Sequence, residues 1–422
     1  MSAANTKPGM FTDLQVSIYR TSGEGFEFGI SHLVGEVNLF EDINFGFVSG
    51  SVVVHDENNT LDIMHLSGDE VITIGASIDG NDIFLVFDIT SLNYRSTQGE
   101  HKEVYVLNFE SFNSRKSAST KISKAYMDKF PEAIVQDVLE VQTESVLDYE
   151  AHESNATLSC IIPLWSPEKT IRWLAQNTVS KDRPEVADFT YYETLDGTGH
   201  FKSIGSLMAE DPVWSYVKYN SEPKTLQDAT FNIEVLQYPD YSFDTIDNQQ
   251  NGYYASKLLW FDFRTKTRST EVFNHRDAWD KEFHTEENAP YYDVDMDYDD
   301  TKKTDKPNSK VSLYSGASNN FKANQQRNWD VVNTAQYRDS IFTSLNNNTV
   351  KLVIPGNLAM HVGHIVDVII PTSAIARLES GKNLKDTYSS GKYLITTIRH
   401  TFGEDSVKTI VGAVKDGSAI TL

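Results

Sequence analysis

The sequence predicts a β-rich α+β protein: two similar antiparallel β-barrel domains, with smaller α/β domains beside them. Three observations carry that expectation. Near the C-terminal end, the runs Leu352-Val353-Ile354, Ile365-Val366-Asp367-Val368-Ile369-Ile370 and Tyr393-Leu394-Ile395-Thr396-Thr397-Ile398 are short and β-branched. Each is stopped by Gly or Pro (Pro355-Gly356, Gly363, Pro371, Gly391), which excludes helices and suits a small antiparallel sheet. Residues 10–110 carry the same signature, and 11% aromatic against 23% charged residues fits a packed, sheet-rich chain.

The chain has 422 residues, enough for two to four domains. The expected organisation is a first barrel over residues 10–115 and an α+β domain over 116–225. A second barrel is assembled from 226–265 and 345–415, split by an inserted, partly flexible segment with a helix over 266–344. In the first barrel the strands are residues 14–19, 34–40, 50–56, 70–75, 83–90 and 102–109. They are separated by turn clusters such as Asp56-Glu57-Asn58-Asn59 and Asp79-Gly80-Asn81-Asp82.

From Ser117 the period changes to three and four, which reads as helix over 121–127 and 131–139, with Pro131 at a first helical position. Ser166 before Pro167 reads as an N-cap, and Ile171, Leu174 and Ala175 then share one face; Trp173 reads as a packing residue. Residues 189–201 form a hairpin around Asp196-Gly197. Strands follow over 231–236 and 254–263, then a stretch of low β content from 266 to 324, then a helix over 325–345.

Several side chains invite chemistry, and each has a plainer reading. Cys160, the single cysteine, lies beside Ile161 and Ile162 and reads as a buried apolar residue. His55 and Asp56 are adjacent on a strand and point to opposite faces. Glu193 and Asp196 flank the start of a turn, a poor placement for two carboxylates across a glycosidic bond. His361 and His364 have an H-x-x-H spacing without a nearby third ligand. The acidic run Asp293 to Asp300 has Tyr298 where a calcium loop needs Gly and Thr304 where it needs Glu. No catalytic, cofactor-binding or metal-binding residue is therefore assigned, and no cofactor is expected.

The net charge is −23, from 37 basic and 60 acidic residues, which disfavours direct phosphate binding. Residues 1–10 are polar, without the apolar core of a signal peptide, and no apolar run approaches the roughly 18 residues that span a bilayer. The chain is accordingly expected to be made in the cytosol, without membrane insertion.

Three stretches resemble the central baseplate hub protein of contractile-tailed phages of the T-even type. They are Gly50-Ser51-Val52-Val53-Val54-His55-Asp56 followed by Gly68-Asp69-Glu70-Val71-Ile72, the 189–208 run, and Gly391-Lys392-Tyr393-Leu394-Ile395-Thr396-Thr397-Ile398-Arg399-His400. The segment Gly252-Tyr253-Tyr254-Ala255-Ser256-Lys257-Leu258-Leu259-Trp260 is also similar to a hub segment entering the second barrel. The resemblance covers most of residues 10–415; the 266–324 insertion departs from it. It implies tube-like barrels and a homotrimeric ring joining a sixfold tail tube to a threefold central spike. The implied partners are a spike protein, a tail-tube or tube-initiator protein, baseplate wedge proteins and tape-measure protein. DNA would pass through without specific binding, and acidic walls would keep it from sticking. The location would be the virion tail baseplate. Two other classes fit the composition: a β-rich cell-wall polysaccharide hydrolase, and a carbohydrate-binding module stacking sugars on Tyr191, Tyr192 or Tyr253.

Overall fold

In the computed structural model, the described residues are 9–20, 26–44, 46–78, 81–97, 102–145, 147–184, 186–218, 230–241, 244–263, 265–291, 294, 301–316, 331–345, 348–372, 385–403 and 406–418. The N-terminal part is β1 (Phe11–Arg20), β2 (Phe26–Gly29), β3 (Val34–Asp42), β4 (Ser49–Asp56), α1 (Thr60–Met64), β5 (Glu70–Ile78), β6 (Asn81–Thr97) and β7 (Glu103–Glu110). Period-two alternation places Val37 and Leu39, Val52 and Val54, and Ile72 and Ile74 in one buried cluster with Tyr105, Leu107 and Phe109.

A middle part follows: α2 (Phe112–Ser119), β8 (Ile122–Lys129), α3 (Pro131–Asp137), β9 (Asp148–Ala151), β10 (Leu158–Trp165), α4 (Pro167–Asn177), β11 (Phe189–Glu193), β12 (Thr198–Ser203), α5 (Ile204–Met208) and β13 (Trp214–Val217). The Ser166 hydroxyl accepts from the Lys169 amide at 3.4 Å, and Pro167 opens α4, as expected. The helix expected over 121–127 is corrected: Ile122–Lys129 is strand. Tyr126 pairs with Cys160, and the inward set Ile122, Tyr126, Leu158, Cys160 and Ile162 alternates against α3 and α4. Apolar Met127 faces outward, and that residue created the false helical spacing.

The remainder is β14 (Glu234–Tyr241), α6 (Thr245–Asn251), β15 (Ala255–Asp262), β16 (Thr267–Asn274), α7 (His275–Trp279), β17 (Val311–Gly316), α8 (Val331–Ser344), β18 (Asn348–Pro355), β19 (Ile365–Ile369), β20 (Gly391–Phe402) and β21 (Val407–Val414). The stretch 266–324 was expected to be poor in strand, and this too is corrected. Strands β16 and β17 flank β15 in a three-stranded sheet, antiparallel on one side and parallel on the other. Both strands are mostly solvent-facing, so the apolar alternation that betrays a core strand is weak. The strand expected over 231–236 starts later and runs through Pro239, and the helix expected over 325–345 is described from Val331. The acidic run Asp293 to Asp300 lies outside the described residues except for Val294.

Among the described residues, thirteen strands share one sheet in the path β14-β18-β21-β20-β3-β4-β7-β6-β5-β1-β2, with β19 on β20 and β13 on β19. The two parts of the chain thus meet edge to edge where β20 pairs with β3, from Thr397↔Asp42 to Phe402↔Val37. This strand path does not close into a barrel. An isolated bridge from Val217 to Asn232 ties the end of β13 to the residues leading into β14. The C-terminal strands enclose a second cluster, including Val350, Leu352, Ile365, Val368, Tyr393, Leu394 and Val411.

One glycine on β4 is sterically fixed. A Cβ at Gly50 would strike the Phe109 ring and sit 2.6 Å from the Asn38 carbonyl. Phe109 is fully buried and Asn38 lies on the paired strand, so neither can yield cheaply. Gly50→Ala is expected to cost about 1–3 kcal/mol through overpacking. Denaturant midpoints should fall while far-ultraviolet circular dichroism stays unchanged; an unaltered midpoint would show that β4 can shift.

Candidate functional site: the junction between the sheet halves

The main polar feature of the fold lies where the two parts of the sheet meet. On β3 the alternation that buries Val37 and Leu39 also turns Glu41 inward, and its side chain is fully buried. Glu41 Oε1 accepts the Leu195 amide at 2.8 Å and His361 Nδ1 at 2.9 Å, while Oε2 accepts the Val362 amide at 3.0 Å. One carboxylate therefore holds the β11–β12 turn and the loop before β19 against β3. The other nitrogen of His361 lies 3.8 Å from Asp196 Oδ2 in the same turn.

The local sequence makes these positions available. Gly197, at φ +84, closes the turn that presents Leu195 and Asp196. Gly363, at φ +89, lies where a Cβ would collide with the Tyr192 hydroxyl. Burial alone would lower the pKa of His361, but its hydrogen bond and charge contact with Glu41, aided by Asp196, hold it above the ordinary value. Neighbouring His364 accepts the His361 amide at 3.2 Å. Burial and the His361 charge push it down to about 4. Burial would raise Asp196, but hydrogen bonds from Thr194 and the charge of His361 bring it below the usual carboxylate range.

The structure brings together two pairs that sequence spacing kept apart. Asp196 and His361 converge here, and Glu193 and Asp196 line one groove of about 580 Å³ with Phe84, Phe112, Arg115 and Lys116. Burial raises the Glu193 pKa against its hydrogen bonds. Both oxygens of Glu193 are occupied: Asn113 Nδ2 and the Tyr191 hydroxyl donate to Oε1, and the Ser111 hydroxyl donates to Oε2 at 2.7 Å. This carboxylate fastens α2 to β11.

Other candidates resolve plainly. Cys160 is buried and its thiol is pushed up to about 11 by burial. Asp56 is buried and accepts the Asn58 and Leu61 amides at the start of α1, while His55 is exposed on the opposite face. Tyr191, Tyr192 and Tyr253 are buried, so none offers a stacking face for a sugar, which corrects that reading. The rings of His361 and His364 lie 5.7 Å apart at 56°, and no group of three His, Cys, Asp or Glu side chains forms a metal site among the described residues.

Sequence reasoning missed Glu41 entirely, because its partners lie 154 and 320 positions away. It also missed a second buried knot in which Asp416, just beyond β21, accepts His284 Nδ1 at 2.7 Å and the Thr285 amide at 2.9 Å. Beside it, burial holds the Glu282 carboxyl up at about 8. In both clusters the carboxylate is taken up by hydrogen bonds from within the chain. Both fasten distant segments of the chain together.

No protein-family model matches the sequence, and no curated protein matches it. Among solved structures, the chain is similar to the 43 kDa tail protein of prophage MuSo2 from Shewanella oneidensis. That likeness has a TM-score of 0.54 at 8% identity, over 96% of this chain and 99% of that one. It is likewise similar to the tail protein from Neisseria meningitidis MC58, with a TM-score of 0.52 at 11% identity, over 96% of this chain and 98% of that one. At such identities the likeness is one of fold, and over nearly its whole length the chain has the fold of these tail proteins.

Proposed function

We propose that this chain is a structural hub of a phage-type tail baseplate: a homotrimeric ring between a sixfold tail tube and a threefold spike. The observation that carries the reading is the end-to-end likeness of fold to solved tail proteins, across 96% of the chain, at TM-scores above 0.5. The strand order supports it. Two strand-rich parts, each around its own buried cluster, join through β3 and β20. If each part curls into a tube segment, three chains would present six similar units to a sixfold tube and three copies to a spike. The division is then that expected from sequence: 10–115, 116–225, and 226–265 with 345–415, interrupted by 266–344.

In this role the chemistry of the junction is structural. Its partners would be the spike, the tube or tube-initiator, the wedges and the tape-measure protein, with DNA passing through a bore lined in part by acidic side chains. The protein would act in the virion tail baseplate after assembly in the host cytoplasm. No helix among the described residues is long and apolar enough to cross a membrane. The test is molar mass in solution by light scattering, with images of the particle by negative-stain microscopy. A threefold ring with a central bore is the expected result. A monomer at all concentrations would sink the reading.

A further inference from the structure

Two of the small sheets turn an apolar face outward. In the β16-β15-β17 sheet the inner face packs on α8: Gln336 Nε2 donates to Ser256 Oγ at 2.8 Å, and Tyr337 meets Phe273 edge to face. The register fixes what lies on the other face. Its three rows are Val272-Lys257-Val311, Thr270-Leu259-Leu313 and Arg268-Phe261-Ser315. Leu313 is 76% exposed and Val272 60%, and Phe261 and Val311 are exposed as well. This grid holds no carboxylate, although the chain carries 60 acidic residues and a net charge of −23. Its two cations, Lys257 and Arg268, have no ion-pair partner among the described residues.

The β8–β10 pair has the same asymmetry. Tyr126, Cys160 and Ile162 face the core, while Met127, Ile161 (71% exposed) and Leu164 face out. Asp128, exposed beside Met127, puts a carboxylate at the end of that face.

We propose that the outer face of the β16-β15-β17 sheet is the docking surface for a second copy of this chain, and that the copy presents its β8–β10 face. The inference rests on the ring reading above and names the surfaces by which the ring closes. A closed ring with an odd number of copies needs two different faces per chain, one for each neighbour. Charge selects the occupant. Copies that each carry −23 repel, and contact is least costly at a face whose rows hold no acid and whose cations have no ion-pair partner among the described residues. Asp128, which accepts the Ser159 hydroxyl at 3.2 Å and adjoins exposed Lys129, brings a carboxylate to the other side. The β16-β15-β17 face spans about 240 Å², from three strands about 4.8 Å apart and five residues long, and the two-stranded β8–β10 face is smaller. That is less than the roughly 800 Å² per partner of a stable interface, so each face forms the dry centre of a contact whose rim is polar.

The experiment compares wild type, Leu313→Glu and Ile161→Glu by mass photometry, singly and mixed. Both substitutions lie on exposed positions, and circular dichroism checks that folding is intact. The wild type is expected to be a trimer and each variant a monomer, with association weakened about a hundredfold or more. An equal mixture of the two variants should form dimers and nothing larger, because each contributes the one face it retains intact. A Lys257→Glu, Arg268→Glu double variant, which leaves every apolar contact in place, should weaken association about tenfold, most strongly at low salt.

Trimers from both single variants would overturn the assignment while leaving the ring intact; the faces would then belong to another baseplate protein. Loss in one variant without dimers in the mixture would overturn the pairing of these two faces. A monomeric wild type would remove the ring reading itself.

Discussion

Replacing Glu41 by glutamine is expected to loosen three regions of the chain at once. A glutamine keeps one acceptor oxygen but turns an NH₂ group toward a donor, the Val362 amide or the Leu195 amide and His361 Nδ1. Breaking a buried, hydrogen-bonded charge pair by removing one partner costs about 3–5 kcal/mol, and Glu41→Ala should fall in that range, with glutamine somewhat below it. With 422 residues, and four separate buried clusters among those described, a single unfolding free energy is ill-defined, so amide hydrogen exchange is the better readout. The amides of Leu195 and Val362 should lose protection together, while those in β8 and β10 keep theirs. Glu36→Gln on the same strand, where the carboxylate is half-exposed beside Arg399 at 3.0 Å, should change stability by less than about 1 kcal/mol. Equal effects from the two substitutions would remove Glu41 from its central role. Because His361 is held above 6.5, its share is complete below that pH and fades as the pH rises through its folded value.

Acid is expected to unfold the protein well before its carboxylates are neutralised. Burial, the leading cause in each case, lowers His275 and His400 to about 3 and His152, His200 and His364 to about 4. Lys202 adds its charge at His152 and His200, and His361 adds its own at His364 and His400. In the unfolded chain these imidazoles titrate near 6.5, so between pH 6.5 and 4 the unfolded state binds more protons. Their contribution is therefore complete above 6.5 and lost as the pH falls. One pKa unit is about 1.4 kcal/mol, so even after solvent screening at the half-buried members the total reaches several kcal/mol, a large part of a domain's stability. His361 and His284, shifted upward, and Glu282, held up at about 8, act in the opposite sense, but they are three against the five depressed imidazoles. Melting temperatures measured from pH 7.5 to 4 should drop steeply below 6, and His364→Gln should soften the drop. A flat profile down to pH 4.5 would mean that water reaches these rings.

What the sequence disclosed followed from whether a residue's partners were local. Strands β18, β20 and β21 were legible because one face is buried and the other is largely half-covered, so β-branched residues run on until Gly or Pro stops them. The β11–β12 hairpin was legible from Asp196-Gly197, and α4 from Ser166 and Pro167, because turns and caps are built from neighbours. Strand β8 was read as helix since Met127 points to the surface, while β16 and β17 were missed since an exposed sheet whose outer rows mix apolar with polar residues shows no clear apolar period. The junction at Glu41 left no local signal. A glutamate in a strand otherwise turned inward was the only trace, and it is legible only after Val37 and Leu39 are known to face the core.

Strand β20 imposes an order on folding. It is hydrogen-bonded to β3 in the N-terminal part and to β21 and β19 in the C-terminal part, while the bridge from Met10 to Ser406 and the Val407 amide on the Gly9 carbonyl tie down the start of β1. Residues 111–390 lie between β7 and β20, so at roughly 5–20 residues per second the first sheet leaves the ribosome on the order of ten seconds or more before its last strand exists. Through that interval the β3 edge is open, and pairing across so long a separation is slow once the strand arrives. The C-terminal hairpin thus acts as a completion signal. A chain truncated before β20 keeps an unpaired β3 edge, and one truncated before His361 also leaves Glu41 without that donor, so the sheet is completed only once β20 and β21 are present.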